Sequence, residues 1–166
     1  MESERLILDP VSEGDVENIY TYFTRDVTTY MYPNVASNIR ETGEVVQGFM
    51  EKRRNNTDYV YSIRLKRTGE FIGLVGLHDL HHDIPELGIW TKMDSHGNHY
   101  GREAIGAVIH YARGRGIKKL YYPVDRRNIA SKKIPLFYGG LLVDAVKNIT
   151  TPDGRTLEIE TYEINL

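Results

Sequence analysis

The sequence predicts an α+β protein, with a mixed, mostly antiparallel central sheet and flanking helices. Three patterns carry that expectation. Segments of period two outnumber those of helical period, two pairs of them are joined by short turns, and one strand–helix–strand run makes a crossover. Taken in order, Arg5–Leu8 reads as a short strand. Ser12 and Asp15 have the spacing of a capping box, and Val16, Ile19, Tyr20 and Phe23 follow at helical intervals. Tyr30–Asn34 is an irregular aromatic segment. A second helix is expected over Ile39–Arg54, with Val45, Val46, Phe49 and Met50 as its apolar face. Gly43 and Gly48 each weaken that helix by about 1 kcal/mol.

From Tyr59 the period changes to two, as Tyr59, Tyr61, Ile63 and Leu65 alternate with Val60, Ser62 and Arg64. The turn Lys66–Gly69 leads into Phe71–Leu77 and makes a hairpin. The polar loop His78–Pro85 precedes a strand over Glu86–Thr91. Beyond the loop Ser95–Gly101, the stripe Ile105, Val108, Ile109 and Ala112 marks a helix, which Gly114 and Gly116 stop. Lys118–Val124 is the next strand, and the helix between requires it to lie parallel to Glu86–Thr91. Leu141–Ile149, a turn at Pro152–Gly154 and Thr156–Ile164 read as a closing antiparallel hairpin.

Composition narrows the function. The 166 residues have no repeat or linker-like stretch, so one domain over 1–166 is expected. With 21 Lys+Arg against 23 Asp+Glu, the chain is not the nucleic-acid binder whose affinity rests on neutralising phosphates. It contains no Cys, which excludes a disulfide framework, a thiolate zinc site and a cysteine nucleophile. No apolar run approaches the roughly 18 residues of a membrane span. The start, Met1–Pro10, lacks a basic region followed by an apolar one, so a cytoplasmic protein is expected. The 12 Tyr against four Phe suit a pocket lining and equally suit solvent-edge strands.

The loop Ser95–Gly101 opens a helix within the crossover, and such a loop presents backbone N–H groups at the positive end of the helix dipole. That is an anion site, above all for phosphate. Arg102 in the first turn opposes the dipole unless an anion is bound nearby, and Lys132 and Lys133 stand likewise near the start of the next helix. The spacing matches neither a P-loop nor a dinucleotide fingerprint. Pro123 interrupts a strand that should be central, where it forfeits a ladder hydrogen bond. The conflict vanishes if the two parallel strands diverge there, leaving a gap for an extended ligand.

Arg5–Leu8, Glu86–Trp90, His96–Ala104, Val124–Ser131 and the closing hairpin, in this order, resemble the GNAT superfamily of acyl-CoA-dependent N-acetyltransferases. Within it the likeness is to the ribosomal-protein (RimJ/RimL-like) branch. The resemblance covers nearly the whole chain. It implies a GNAT-like fold with a splayed parallel pair, acetyl-CoA as acyl donor, no metal, and direct attack of a primary amine such as a protein N-terminus. Backbone groups of Ile89, Trp90 and Thr91 would then pair with pantetheine, and amides from Gly97, Asn98, His99, Tyr100, Gly101 and Arg102 would cradle the pyrophosphate. In the family's phosphate loop His96 fills the first place, His99 replaces the middle glycine and Gly101 keeps the last. Asn128 matches the asparagine on the pantetheine side and also suits a helix cap; Lys132 and Lys133 would meet the cofactor's phosphates. Glu86 matches a glutamate that takes the amine's proton in some members. The tyrosine that many relatives place seven residues after the asparagine is Pro135 here, so Ser131 and Tyr138 stand as substitutes for protonating the leaving thiolate. Tyr30, Met31 and Tyr32 would rim the acceptor pocket.

Two other readings stand beside this one. Pro135 and the altered loop suit a catalytically degenerate acyl-CoA-binding sensor or partner protein. The His-rich loop His78–Asp83 invites a metal, but it has no helical i, i+4 pair and a solvated polar loop is expected. Exposed edges of this fold often pair between subunits, which leaves a homodimer open, with no membrane or nucleic acid as partner.

Overall fold

A computed structural model describes residues 1–166. Seven strands form one sheet in the order β1-β2-β3-β4-β5-β7-β6. The strands are β1 (Leu6–Pro10), β2 (Tyr59–Leu65), β3 (Phe71–His78), β4 (Glu86–Thr91), β5 (Lys119–Asp125), β6 (Leu141–Thr150) and β7 (Thr156–Asn165). Every neighbouring pair is antiparallel except β4 and β5. The helices are α1 (Val16–Tyr22), α2 (Arg25–Thr28), α3 (Ile39–Arg54), α4 (Tyr100–Gly114) and α5 (Ile129–Phe137). This is the mixed sheet with one parallel pair that the hairpin and crossover patterns predict. The single-turn helix α2 was not legible in the sequence.

Helices cover both faces of the middle strands, so the sheet has two cores. On one side α4 packs its stripe of Ala104, Ile105, Val108, Ile109 and Ala112 on Leu6, Leu8, Tyr61, Ile63, Val75 and Leu87. On the other, Ile19 of α1 and Val46 of α3 meet Val60, Phe71 and Leu74. The period-two pattern in Tyr59–Ile63 therefore sorts residues between two cores rather than between core and water, and all five residues are buried. One expectation for α3 fails. Val45 is 52% exposed, because Thr42 and Val46 point at the sheet and a residue one step away is turned by about 100°. Ser12 and Asp15 do close the start of the first helical segment: the Asp15 carboxylate accepts from the Ser12 backbone N–H at 2.9 Å.

Pairing within the sheet sets up the site. β4 is in register with β3 along its whole length, from Gly73↔Thr91 to His78↔Glu86. Gly73 is needed there, since a Cβ would lie 2.1 Å from the Trp90 carbonyl oxygen. Against β5, β4 keeps a single register pair, Glu86↔Tyr121. Beyond that point the parallel strands part, as Pro123 two residues later requires, and β5 instead pairs throughout with β7.

Candidate active site

The parting of β4 and β5 leaves a cleft of about 510 Å³. Glu86, Ile89, Asn128, Ser131, Tyr30, Met31 and Tyr32 all line it, so the structure brings the predicted proton acceptor, pantetheine contacts and acceptor rim to one place. Glu86 starts β4, half-buried at the head of the cleft. Burial pushes its carboxyl above the usual glutamate range, helped by the nearby Asp79 charge, while His78 and His82 pull the other way.

At the far end of β4 lies the loop into α4. None of the six backbone N–H groups from Gly97 to Arg102 has an acceptor within the protein, and no side chain caps the helix. The loop is held by its periphery instead. Asn98 Nδ2 donates to the Ser95 carbonyl at 3.2 Å, Arg5 Nη2 donates to the Asn98 carbonyl at 3.0 Å, and the His96 ring bonds the Thr91 carbonyl at 3.0 Å. Arg5 also stacks on Tyr100 and pairs with Glu103 at 2.7 Å. His99 takes φ +62°, the left-handed conformation that its missing glycine would have made easy, and Gly97 takes φ +82°. For a non-glycine residue that costs about 1–2 kcal/mol. The replacement strains the loop without closing it. A Cβ at Gly101, in the first turn, would meet Ile89 Cδ1 at 3.5 Å and Ile134 Cδ1 at 3.6 Å, ordinary contact distances.

Other predicted residues are placed differently. The Tyr138 hydroxyl donates to the Arg102 carbonyl at 2.7 Å, packed where a Gly106 side chain would be, and is not among the cleft's lining. Lys132 pairs with Glu160 at 2.8 Å, which holds its ammonium above the usual lysine range. Lys133 is exposed. The Arg102 guanidinium lies on the Phe137 ring at 4.2 Å. Trp90 packs its ring on Phe23 and Phe71, so only its backbone faces the gap. Asn128 caps α5, its Oδ1 accepting from the Ser131 N–H at 3.1 Å. Ser131 Oγ in turn bonds the Tyr122 hydroxyl at 2.8 Å.

Tyr122 is a cleft residue that sequence reasoning missed. It continues the alternation Leu120, Tyr122, Val124, which reads as plain core, and only the position of α5 reveals a partner for its hydroxyl. Burial pushes that hydroxyl up to about 12, so it stays protonated. His78 lies in what the sequence presents as a polar loop. It ends β3, and its Nδ1 lies 2.9 Å from the carboxylate of buried Asp58. In the loop that follows, Asp79, His81 and His82 bring their ligand atoms within 4.8 Å of one another, closer than expected of a hairpin loop; both histidines are exposed, and no metal is assigned to them.

A second cavity of about 270 Å³ lies on the α1–α3 side of β4. Its wall is mostly apolar, with Ile19, Phe23, Val45, Phe49 and Leu74, and its roof is the chain from Met31 to Ala36. Met31, His78, Gly88 and Ile89 border both cavities, so the two share a wall. The roof hangs from the β6–β7 turn. There Arg155 Nη1 donates to the carbonyls of Thr28 at 2.7 Å and Met31 at 3.2 Å, while Asp153 holds Arg155 Nε at 2.8 Å.

A splayed parallel pair with an open-amide loop at one end and a carboxylate at the other makes a groove suited to an extended, anion-bearing ligand. Residues 5–139 match the family model described as Acetyltransferase (GNAT) domain. The chain belongs to the GNAT acetyltransferase family, whose acyl donor is acetyl-CoA. It is 25% identical over 168 residues to an uncharacterised N-acetyltransferase, YoaA, of Bacillus subtilis (strain 168), covering 99% of this chain and 95% of that one. Its fold is shared with the Salmonella typhimurium acetyltransferase that modifies the N-terminal serine of ribosomal protein L7/L12. That match has a TM-score of 0.86 and 16% identity, covering 99% of this chain and 96% of the other. It is shared too with the microcin C7 self-immunity acetyltransferase MccE, solved with acetyl-CoA and AMP. Here the TM-score is 0.86 at 16% identity, covering 98% of this chain and 93% of the other.

Proposed function

We propose that the chain is a single acetyltransferase unit that moves acetyl from acetyl-CoA to a primary amine whose neighbouring substituent is apolar. The carrying observation is the path from the open amides Gly97–Arg102, along the unpaired edge of β4, to Glu86 and on into the apolar cavity. The amides suit the pyrophosphate and the strand edge suits the pantetheine amides, so the thioester would lie beside Glu86. The Glu86 carboxylate takes a proton from the acceptor nitrogen, directly or through water. The Ser131–Tyr122 hydroxyl pair supplies the proton for the departing thiolate, in place of Tyr138, whose hydroxyl is committed to α4. A cavity of about 270 Å³ suits one amino-acid-sized apolar group beside the amine, which favours a peptide N-terminus or an arylalkylamine over a polyamine or an amino sugar.

Calorimetric titration with acetyl-CoA, run beside 3′-dephospho-CoA and NAD, tests the donor half. Saturable binding of acetyl-CoA and none of NAD is expected, and loss of the 3′-phosphate should weaken binding little, since Lys132 is committed to Glu160. The acceptor half is tested by comparing phenethylamine and leucinamide with spermidine and glucosamine. Glu86→Gln should lower kcat by about 100-fold at unchanged acetyl-CoA affinity. A protein that binds acetyl-CoA but acetylates none of these amines is the degenerate sensor instead.

A further inference from the structure

An acceptor amine arrives as an ammonium and ends as an amide nitrogen, so it gives up two protons. Glu86 accounts for one. Directly opposite Glu86 in the β3–β4 register is His78, on the same face of the sheet. The ring is seated over two glycines: a Cβ at Gly76 would lie 2.1 Å from Nε2, and one at Gly88 3.0 Å from it. Its other nitrogen, Nδ1, is 2.9 Å from Asp58 Oδ2, on a carboxylate only 4% exposed that Lys52 also reaches at 3.2 Å. Such an anionic partner fixes the tautomer with Nδ1–H donating, which leaves the Nε2 lone pair free. His78 borders both the cleft and the apolar cavity. The charged groups around it are Asp58 ahead of β2, Lys52 of α3, Glu86 of β4, and Asp79 and His82 of the loop.

We propose that His78, oriented by Asp58, is the second proton acceptor of the acetyl transfer. This rests on the transfer reading above. The ammonium gives its first proton to His78 Nε2, and the neutral nitrogen forms the C–N bond at the thioester carbonyl. As the C–S bond breaks, the nitrogen's second proton goes to Glu86 and the sulfur leaves as thiolate, which the Ser131–Tyr122 hydroxyls protonate. The imidazolium and the Glu86 carboxyl then return their protons to solvent and to those hydroxyls, so one proton is released per turnover. Asp58 is a positioning residue that holds the ring.

The test is turnover of phenethylamine beside calorimetric acetyl-CoA binding, in wild type, His78→Ala and Gly76→Ala. His78→Ala should lower kcat by about 100-fold at unchanged acetyl-CoA affinity, and millimolar free imidazole should restore part of the lost rate while leaving wild type unaffected. Gly76→Ala pushes the ring from its seat without removing it and should reproduce the loss. It meets only the end of a side chain, so it keeps the fold if the alanine variant does not. A kcat within about threefold of wild type in either folded variant, or a loss that imidazole leaves untouched, overturns the role of His78 alone. A wild-type protein that binds acetyl-CoA but turns over no amine overturns the transfer reading and this one with it.

Discussion

Helices α3 and α4 are of nearly equal length, 16 and 15 residues, yet they begin in opposite ways. At α3 the chain closes its own end. Asn38 Oδ1 accepts from the Glu41 N–H at 3.1 Å, and the Glu41 carboxylate accepts from the Ser37 N–H at 2.8 Å. At α4 nothing does so, and the preceding loop adds three more open amides to those of the first turn. Gly97–His99 are exposed, so water can meet these amides, and a side-chain cap at such an end adds about 1 kcal/mol. The start of α3 is closed by its own side chains, whereas the open start of α4 is where the transfer proposed above seats the donor's phosphates. The start of α5 lies between: Asn128 caps it and also lines the cleft.

The comparison breaks if α4 is given a cap of its own. His99→Asp puts a carboxylate among the open amides, in a residue type that tolerates the left-handed backbone. Acetyl-CoA affinity should fall by about 100-fold by calorimetry, through lost amide contacts and charge repulsion, while Tm holds or rises. Unchanged affinity would place the phosphates elsewhere. The converse change, Asn38→Ala, should cost about 1 kcal/mol in denaturant unfolding with no effect on acetyl-CoA binding. His99→Gly sharpens the comparison from inside. Relieving φ +62° should raise stability by about 0.5–1 kcal/mol at undiminished affinity, since the amides stay open.

The smallest effect concerns Glu103, in the first turn of α4. Burial pushes its carboxyl up, but hydrogen bonds from Ser3 and from the Arg5 backbone and guanidinium outweigh that and leave it below the usual glutamate range. A depressed value in the folded state means stability that is full above the unfolded value of about 4.3 and lost as pH falls through the folded one. Glu103→Gln should therefore narrow the drop in Tm between neutral and acid pH, and an unaltered drop would remove Glu103 from that account.

The sequence foretold the parts of this architecture that rest on local pattern. Strand and helix identities followed from period, and the splay followed from one proline whose missing donor no continuous parallel ladder tolerates. The open amides were legible too, since Gly97 and Gly101 flank a helix start with no Ser, Thr, Asp or Asn at the capping position. What stayed hidden depends on distant partners. Nothing near Lys132 announces Glu160, nothing near Tyr138 announces the Arg102 carbonyl, and Asp58 and His78 meet only because β2 and β3 pair. Side-chain partners across the sheet are a property of register, and period fixes a face without fixing a neighbour.

Arg155 holds the Met31–Ala36 roof from a turn 127 positions beyond Thr28, and it touches neither Glu86 nor the α4 loop. The β6–β7 turn thus holds the roof of the apolar cavity, while the loop into α4 is held by Arg5 and by its own Asn98. In the transfer proposed above, a nick or a short insertion in Thr151–Arg155 is expected to disturb amine discrimination more than acetyl-CoA affinity.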